Sequence, residues 1–186
     1  MIVIVGLGNP GEEYAKTYHN MGYRSVSAFA VANGLEFTKN KYNAYYAQGV
    51  INGKKVIVLK PTTYMNLSGV SVSECVKSLK LPLDKLLVVY DDIDLPFGTL
   101  RIRKNGSAGT HNGMRNIITC LGSENFPRLR IGIGRDNRKD LKDYVLGKLT
   151  KEHEEVFDSL KDKIVNVIDA FVNSEGNVEG IDINNY

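Results

Sequence analysis

The feature that most constrains this chain is a set of short apolar runs separated by segments of helical spacing. MIVIVG at 1–6 and KLLVVYDD at 85–92 are nearly continuous in aliphatic and β-branched residues. They are too short for helices and lack the alternation of a strand wetted on one face, so each reads as a strand buried on both sides. RLRIGIG at 128–134 is a further strand. Between them, Met21, Val26, Phe29 and Ala30 keep helical spacing up to a left-handed cap at Gly34, and Leu67, Val70, Cys75, Val76 and Leu79 suit a second helix closed near Pro82. Ile117, Ile118 and Leu121 fit a short one. Thr150 is a good N-cap for a long amphipathic helix through Val156, Leu160, Ile164, Val167, Ile168 and Phe171, with a polar tail after it.

Residues 44–60 hold two apolar runs joined by Asn52-Gly53, whose tolerance of positive φ predicts a type I′ hairpin. Leu100 and Ile102 alternate with Arg101 and Arg103, as in a half-exposed strand with a basic outer face. NGSAGTHNG at 105–113 is too poor in apolar residues to be anything but a mobile loop. Strands alternating with helices, plus one hairpin, predict an α/β fold: a single-domain three-layer sandwich with a mixed, mostly parallel sheet, spanning 1–186. In such sheets sites gather beyond the carboxyl ends of the strands, here the loops after Val5, Tyr90 and Lys60.

With 186 residues, 42% of them apolar, one core can be filled without staples. No stretch approaches the roughly 20 apolar residues of a membrane span, and no basic region precedes the apolar run at Ile2, so a cytoplasmic protein is expected. Cys75 and Cys120 lack partners at metal-ligand spacing and read as buried reduced thiols. Residues 101–142 hold ten Lys/Arg against three acids, +7 in a chain whose total is +3. That concentration is the footprint of a polyanionic partner, though a solvated basic face would look the same.

Gly6-Leu7-Gly8-Asn9-Pro10-Gly11 matches the dinucleotide pattern G-x-G-x-x-G after a strand. The pattern works when a helix starts at once and aims its amides at pyrophosphate. Here Pro10 removes a donor, the helical spacing starts about ten residues later, and a hairpin follows, so a nucleotide-dependent oxidoreductase is disfavoured. No G-x-S-x-G elbow occurs and neither cysteine has a histidine partner in sequence. The three histidines are scattered, with no His/carboxylate cluster visible, which gives a metal site no support.

Water activated by a histidine and a carboxylate remains. His19, in a polar loop before the first helix, has the side chain best matched to proton abstraction near neutral pH. Asp91, at a strand's carboxyl end, is placed to orient it. A loop histidine is also an ordinary surface residue, and an Asp closing a strand an ordinary turn former. Asn9, Asn66 and Asn112 are either caps or amides that bind a carbonyl or a developing oxyanion.

GLGNPGEEY with HNMG (6–22), PTTYMNLSG (61–69), YDDIDLP (90–96), GTHNG (109–113) and RLRIGIG (128–134) together resemble the bacterial peptidyl-tRNA hydrolase family. Five blocks in order over most of the chain are far more specific than any one of them. The resemblance implies a metal-independent single domain without cofactors that cleaves the ester between a peptide and the 3′ end of tRNA, its partner being peptidyl-tRNA, and acting as a monomer with no obligate protein partner. It implies His19 as base, Asp91 as its partner, and Asn9 as the residue associated with telling N-blocked peptidyl-tRNA from free aminoacyl-tRNA. Tyr14, Tyr64, Asn66 and Asn112 match positions lining the cleft, with Met65 beside them; Arg103 and Arg130 match positions near the tRNA acceptor end and its 5′-phosphate. Two departures stand out. Tyr18 replaces the usual Arg before the histidine, so packing takes the place of a salt bridge or loop contact, and Ser107, Ala108 and Thr110 stand where the family has more Gly and a second His. A catalytically inactive RNA-binding protein on the same fold is the alternative.

Overall fold

The computed structural model describes residues 1–186 and contains one seven-stranded sheet in the order β2-β3-β4-β1-β5-β7-β6. Its strands are β1 (Ile2–Gly6), β2 (Lys39–Lys41), β3 (Ala44–Ile51), β4 (Lys54–Pro61), β5 (Leu86–Asp92), β6 (Leu100–Arg103) and β7 (Arg128–Gly132). The four central strands β4, β1, β5 and β7 are parallel. The flanking pairs β2–β3, β3–β4 and β6–β7 are antiparallel. The fully buried pattern of β1 and β5 is what a central parallel strand requires, because helices cover both faces.

Helices α1 (Met21–Ala32) and α5 (Lys151–Asn173) cover one face, and α2 (Ser68–Leu79) and α3 (Asn112–Leu121) the other; α4 (Leu141–Val145) is a single short turn. Alternate residues of β1 divide between the two layers. Ile2 and Ile4 join Phe29, Phe157 and Ile168 on the first face, while Val3 and Val5 join Val72, Met114 and Phe126 on the second. The α/β three-layer expectation holds. So does the hairpin: Asn52 and Gly53 have φ of 50° and 77° and join β3 to β4 in register. Thr150 caps α5 by accepting from the His153 amide.

Four readings are corrected. On α2 the apolar stripe is the core face only in part: Cys75 is buried and Val76 and Leu79 pack against the core, but Leu67 and Val70 are exposed and the other buried residues are Ser68, Gly69, Ser71 and Val72. Small residues face inward there because α2 and α3 pack close together; a Cβ on Gly69 would meet the Asn116 backbone. The 105–113 stretch is not all loop: His111 is the N-cap of α3 and Asn112 its first residue. The tail is not merely polar, because Val178 is buried and Ile181 and Ile183 pack against the α5 side of the core. Finally, Cys75 is buried, which pushes its thiol up to about 12, whereas Cys120 is only half-buried.

Candidate active site

Gly22 sets the geometry from which the site is built. A Cβ there would collide with the Val89 carbonyl and the Leu7 backbone, so only glycine lets the first turn of α1 rest directly on β1 and β5. That contact fixes the preceding 3-10 turn, Tyr18–Asn20, against the carboxyl end of β5. Asn20, which sequence reasoning passed over, ties this turn to the loop after β1. Its Oδ1 accepts from the Asn9 amide at 2.8 Å and its Nδ2 donates to the Asn9 carbonyl at 2.9 Å.

His19 lies beside Asp91, and the Nδ1–H of His19 donates to Asp91 Oδ2 at 2.8 Å. The second carboxylate oxygen accepts from His111 Nε2–H at 3.0 Å. The ring of His111 is pinned in one tautomer, because its Nδ1 accepts the Met114 amide at 3.1 Å as the N-cap of α3, which leaves the proton on Nε2. Asp91 is therefore gripped on both oxygens, and the side chain is 1% exposed. His19 is 13% exposed, lines the cleft, and makes no hydrogen bond within the protein through Nε2. Burial disfavours the imidazolium of His19, but the charge of Asp91 and its hydrogen bond outweigh that, so His19 titrates above the ordinary histidine value. Burial alone would raise Asp91; the imidazoles of His19 and His111 and the bonds they donate reverse this and hold its carboxyl below the usual range.

The reading of the histidines as scattered is thus wrong in space. His19, Asp91 and His111 bring their donor atoms within 4.8 Å of one another. They do not fit a resident metal, however. Ligation through His111 Nε2 requires moving its proton to Nδ1, where it would face the Met114 N–H, and the two oxygens of Asp91 are committed to N–H donors.

Around this centre runs a cleft of about 700 Å³ beyond the carboxyl ends of β1, β4 and β5, the three loops the topology pointed to. Asn9, Tyr14, Tyr64, Met65, Asn66, Asn112 and Arg130 all line it. Asn9 Oδ1 accepts from the Met65 amide at 2.7 Å, which assigns the amide's orientation and leaves Nδ2 as a donor for the cleft. Tyr64 reaches the rim through a left-handed backbone, φ 65°, and is 55% exposed. Leu141, Val145 and Leu146 add apolar surface to the cleft lining. Arg103 is not in the cleft; it lies on edge strand β6, opposite Arg128 in register, beside a separate cavity shared with Arg101 and Lys163.

Tyr18 is buried and stacks on Tyr144 with centroids 4.6 Å apart, while its hydroxyl pairs with His153 Nδ1 at 2.6 Å. The side chain before His19 is thus held by aromatic packing and one hydrogen bond. Of the groups missed, His111 and Asn20 sat inside the blocks GTHNG and HNMG, and Asp92 inside YDDIDLP. What was lacking was any local signal that their side chains converge.

A mixed α/β sheet thus carries a histidine–carboxylate pair and the Asn9 amide beside an open cleft at its carboxyl edge, an arrangement of the hydrolase class. The profile of the peptidyl-tRNA hydrolase family matches residues 3–185. A protein of Carboxydothermus hydrogenoformans named peptidyl-tRNA hydrolase is 53% identical over 158 residues, 85% of this chain and 84% of that one. One of Roseiflexus sp. with the same name is 53% identical over 92% of this chain and 80% of its own length. The crystal structure of peptidyl-tRNA hydrolase from Acinetobacter baumannii superposes with a TM-score of 0.89 at 36% identity, covering 94% of this chain and 90% of that one. The chain belongs to the peptidyl-tRNA hydrolase family.

Proposed function

We propose that the cleft hydrolyses the ester linking an N-blocked peptidyl group to the 3′-terminal ribose of tRNA, with His19 as general base. Asp91 holds His19 in the tautomer whose Nε2 lone pair faces the cleft. That nitrogen takes a proton from water, the resulting hydroxide attacks the ester carbonyl, and the tetrahedral oxyanion is met by amide donors, Asn9 Nδ2 foremost. Collapse expels the ribose oxygen, which recovers the proton from His19, leaving a peptide with a free carboxylate and a reusable tRNA. His111 keeps Asp91 aimed. Tyr14, Tyr64, Met65, Asn66 and Asn112 line the path of the peptide and the terminal nucleotide, and Arg130, with Arg103 farther out, receives phosphates. No helix is long and apolar enough to cross a membrane. The reading takes the protein to act as a monomer, in the cytoplasm where a peptidyl-tRNA substrate is met.

One observation carries the reading: the 2.8 Å bond from His19 Nδ1 to Asp91 Oδ2 at the cleft, with Nε2 left free. The test is cleavage of N-acetylaminoacyl-tRNA against free aminoacyl-tRNA, with a chelator present, by the native protein and by His19→Ala. Selective cleavage by the native protein, and a loss of about 10²- to 10⁴-fold in His19→Ala with tRNA binding retained, is the expected result. A native protein that binds tRNA without cleaving it would instead mark an inactive RNA-binding relative.

A further inference from the structure

The segment Tyr90–Asp94 delivers three carboxylates, Asp91, Asp92 and Asp94, to the lining of a cleft that is to receive a polyanion. Free carboxylates there would repel phosphate, and none is free. Asp91 is held by two imidazoles and Asp94 by Arg135 at 2.9 Å. Asp92 is held by Arg130, the one arginine that lines the cleft. Both Nε and Nη2 of Arg130 lie 2.6 Å from the same oxygen, Asp92 Oδ2, while Oδ1 accepts the Asp94 amide at 2.8 Å. Asp92 is 9% exposed and Arg130 29%. The pair is built into the sheet, because Arg130 on β7 stands opposite Tyr90 on β5, two residues before Asp92.

This grip does two opposed things. By engaging one corner of the fork it fixes the guanidinium plane and leaves Nη1 and one Nη2 hydrogen for a ligand. By placing a full negative charge against the guanidinium it cancels most of the attraction those hydrogens would offer a phosphate. We propose that Asp92 is the positioning residue that sets the strength of the cleft's phosphate site, keeping Arg130 aimed while holding its grip on tRNA weak enough for product release. The inference rests on the reading of Arg130 as a phosphate ligand.

Asp92→Asn removes the charge at constant size. Its amide oxygen can serve the Asp94 N–H or Arg130 but not both, and in either orientation the negative charge against the guanidinium is gone. The measurements are KM for N-acetylaminoacyl-tRNA, Kd for deacylated tRNA, and the dependence of log K on log salt. Asp92→Asn should tighten tRNA binding roughly two- to five-fold without raising kcat, and steepen the salt slope by about 0.7–0.9. Asp92→Glu, which keeps the charge, should return the slope towards the native value. A slope unchanged or shallower in Asp92→Asn, while Arg130→Gln lowers it, would overturn the proposal. If Arg130→Gln itself leaves the slope unchanged, the phosphate reading of Arg130 has failed and the inference falls with it.

Discussion

Replacing Asp91 by Asn should damage catalysis at least as much as replacing it by Ala, for a reason specific to this site. Asn has one acceptor and one donor end, and His111 decides which goes where. Its Nδ1 is occupied by the Met114 amide, so its Nε2 carries a proton that needs an acceptor. The amide oxygen of the introduced Asn must face His111, and its NH2 group must face His19 Nδ1. That nitrogen then has to accept, the imidazole proton moves to Nε2, and the lone pair needed for the base disappears from the cleft. Ala imposes nothing of the kind: His19 loses its orienting charge but can still present Nε2 unprotonated part of the time.

General-base catalysis is worth about 10²- to 10⁴-fold, or roughly 3–5.5 kcal/mol of barrier. Asp91→Asn should forfeit most of that in kcat, and Asp91→Ala only part of it. Steady-state hydrolysis of N-acetylaminoacyl-tRNA measures the ranking, and nitrogen NMR of the imidazoles reads the tautomer directly. Combining Asp91→Asn with His111→Ala releases the amide to turn its oxygen to His19, so the double variant should be more active than Asp91→Asn alone. It does so despite losing an N-cap worth about 0.5–2 kcal/mol of stability. Asp91→Asn retaining activity within ten-fold of the native level, with Nδ1 of His19 still protonated, would refute the reasoning.

The acid limb of kcat/KM should have its midpoint above 6.5, since only unprotonated His19 is a base and its pKa is raised; in Asp91→Ala burial alone remains, and the midpoint should fall below 6.5. The same raised pKa stabilises the fold below pH 6.5, a contribution lost as pH climbs through the shifted value, which urea unfolding at pH 6 and 8 would detect in a comparison with His19→Ala. Gly22→Ala puts a methyl group against the backbone of β1 and β5, which cannot yield, so a loss of about 1–3 kcal/mol is expected, roughly 2–9 °C in Tm, with kcat falling as the His19 turn shifts. Arg103→Ala should leave kcat unchanged but lower the salt slope of tRNA binding by about 0.7–0.9.

The sheet was legible because its signals are local. Continuous apolar runs announced β1 and β5, and Asn52-Gly53 announced the β3–β4 turn through the φ values only such residues adopt readily. The first half of the α2 face was misread because the periodicity rule assumes that what is buried is large. Where two helices approach closely enough for Gly69 to touch the Asn116 backbone, small residues occupy the interface and Leu67 and Val70 are left outside. The short strand β2, all exposed and made of Lys39, Asn40 and Lys41, carries no hydrophobic pattern at all; only pairing with β3 makes it a strand.

The site divides along the same line. The topological rule located the cleft, since it depends only on which ends of parallel strands point the same way, and of the ten residues singled out from the sequence nine line it, Arg103 alone lying elsewhere. What no sequence pattern could reveal is that Asp91 serves two histidines rather than one. Residues 19, 91 and 111 come from the end of one loop, the end of a strand and the cap of a helix, and their spacing along the chain has no period. Yet the proposed chemistry depends on that convergence. With a single partner, Asp91 could rotate and His19 could exchange tautomers; with His111 locked by the α3 cap, the carboxylate has one orientation and His19 has one place to keep its proton. In the proposed mechanism the base is thus oriented from the far side of the carboxylate by His111, and helix α3, whose N-terminus His111 caps, becomes part of the catalytic geometry.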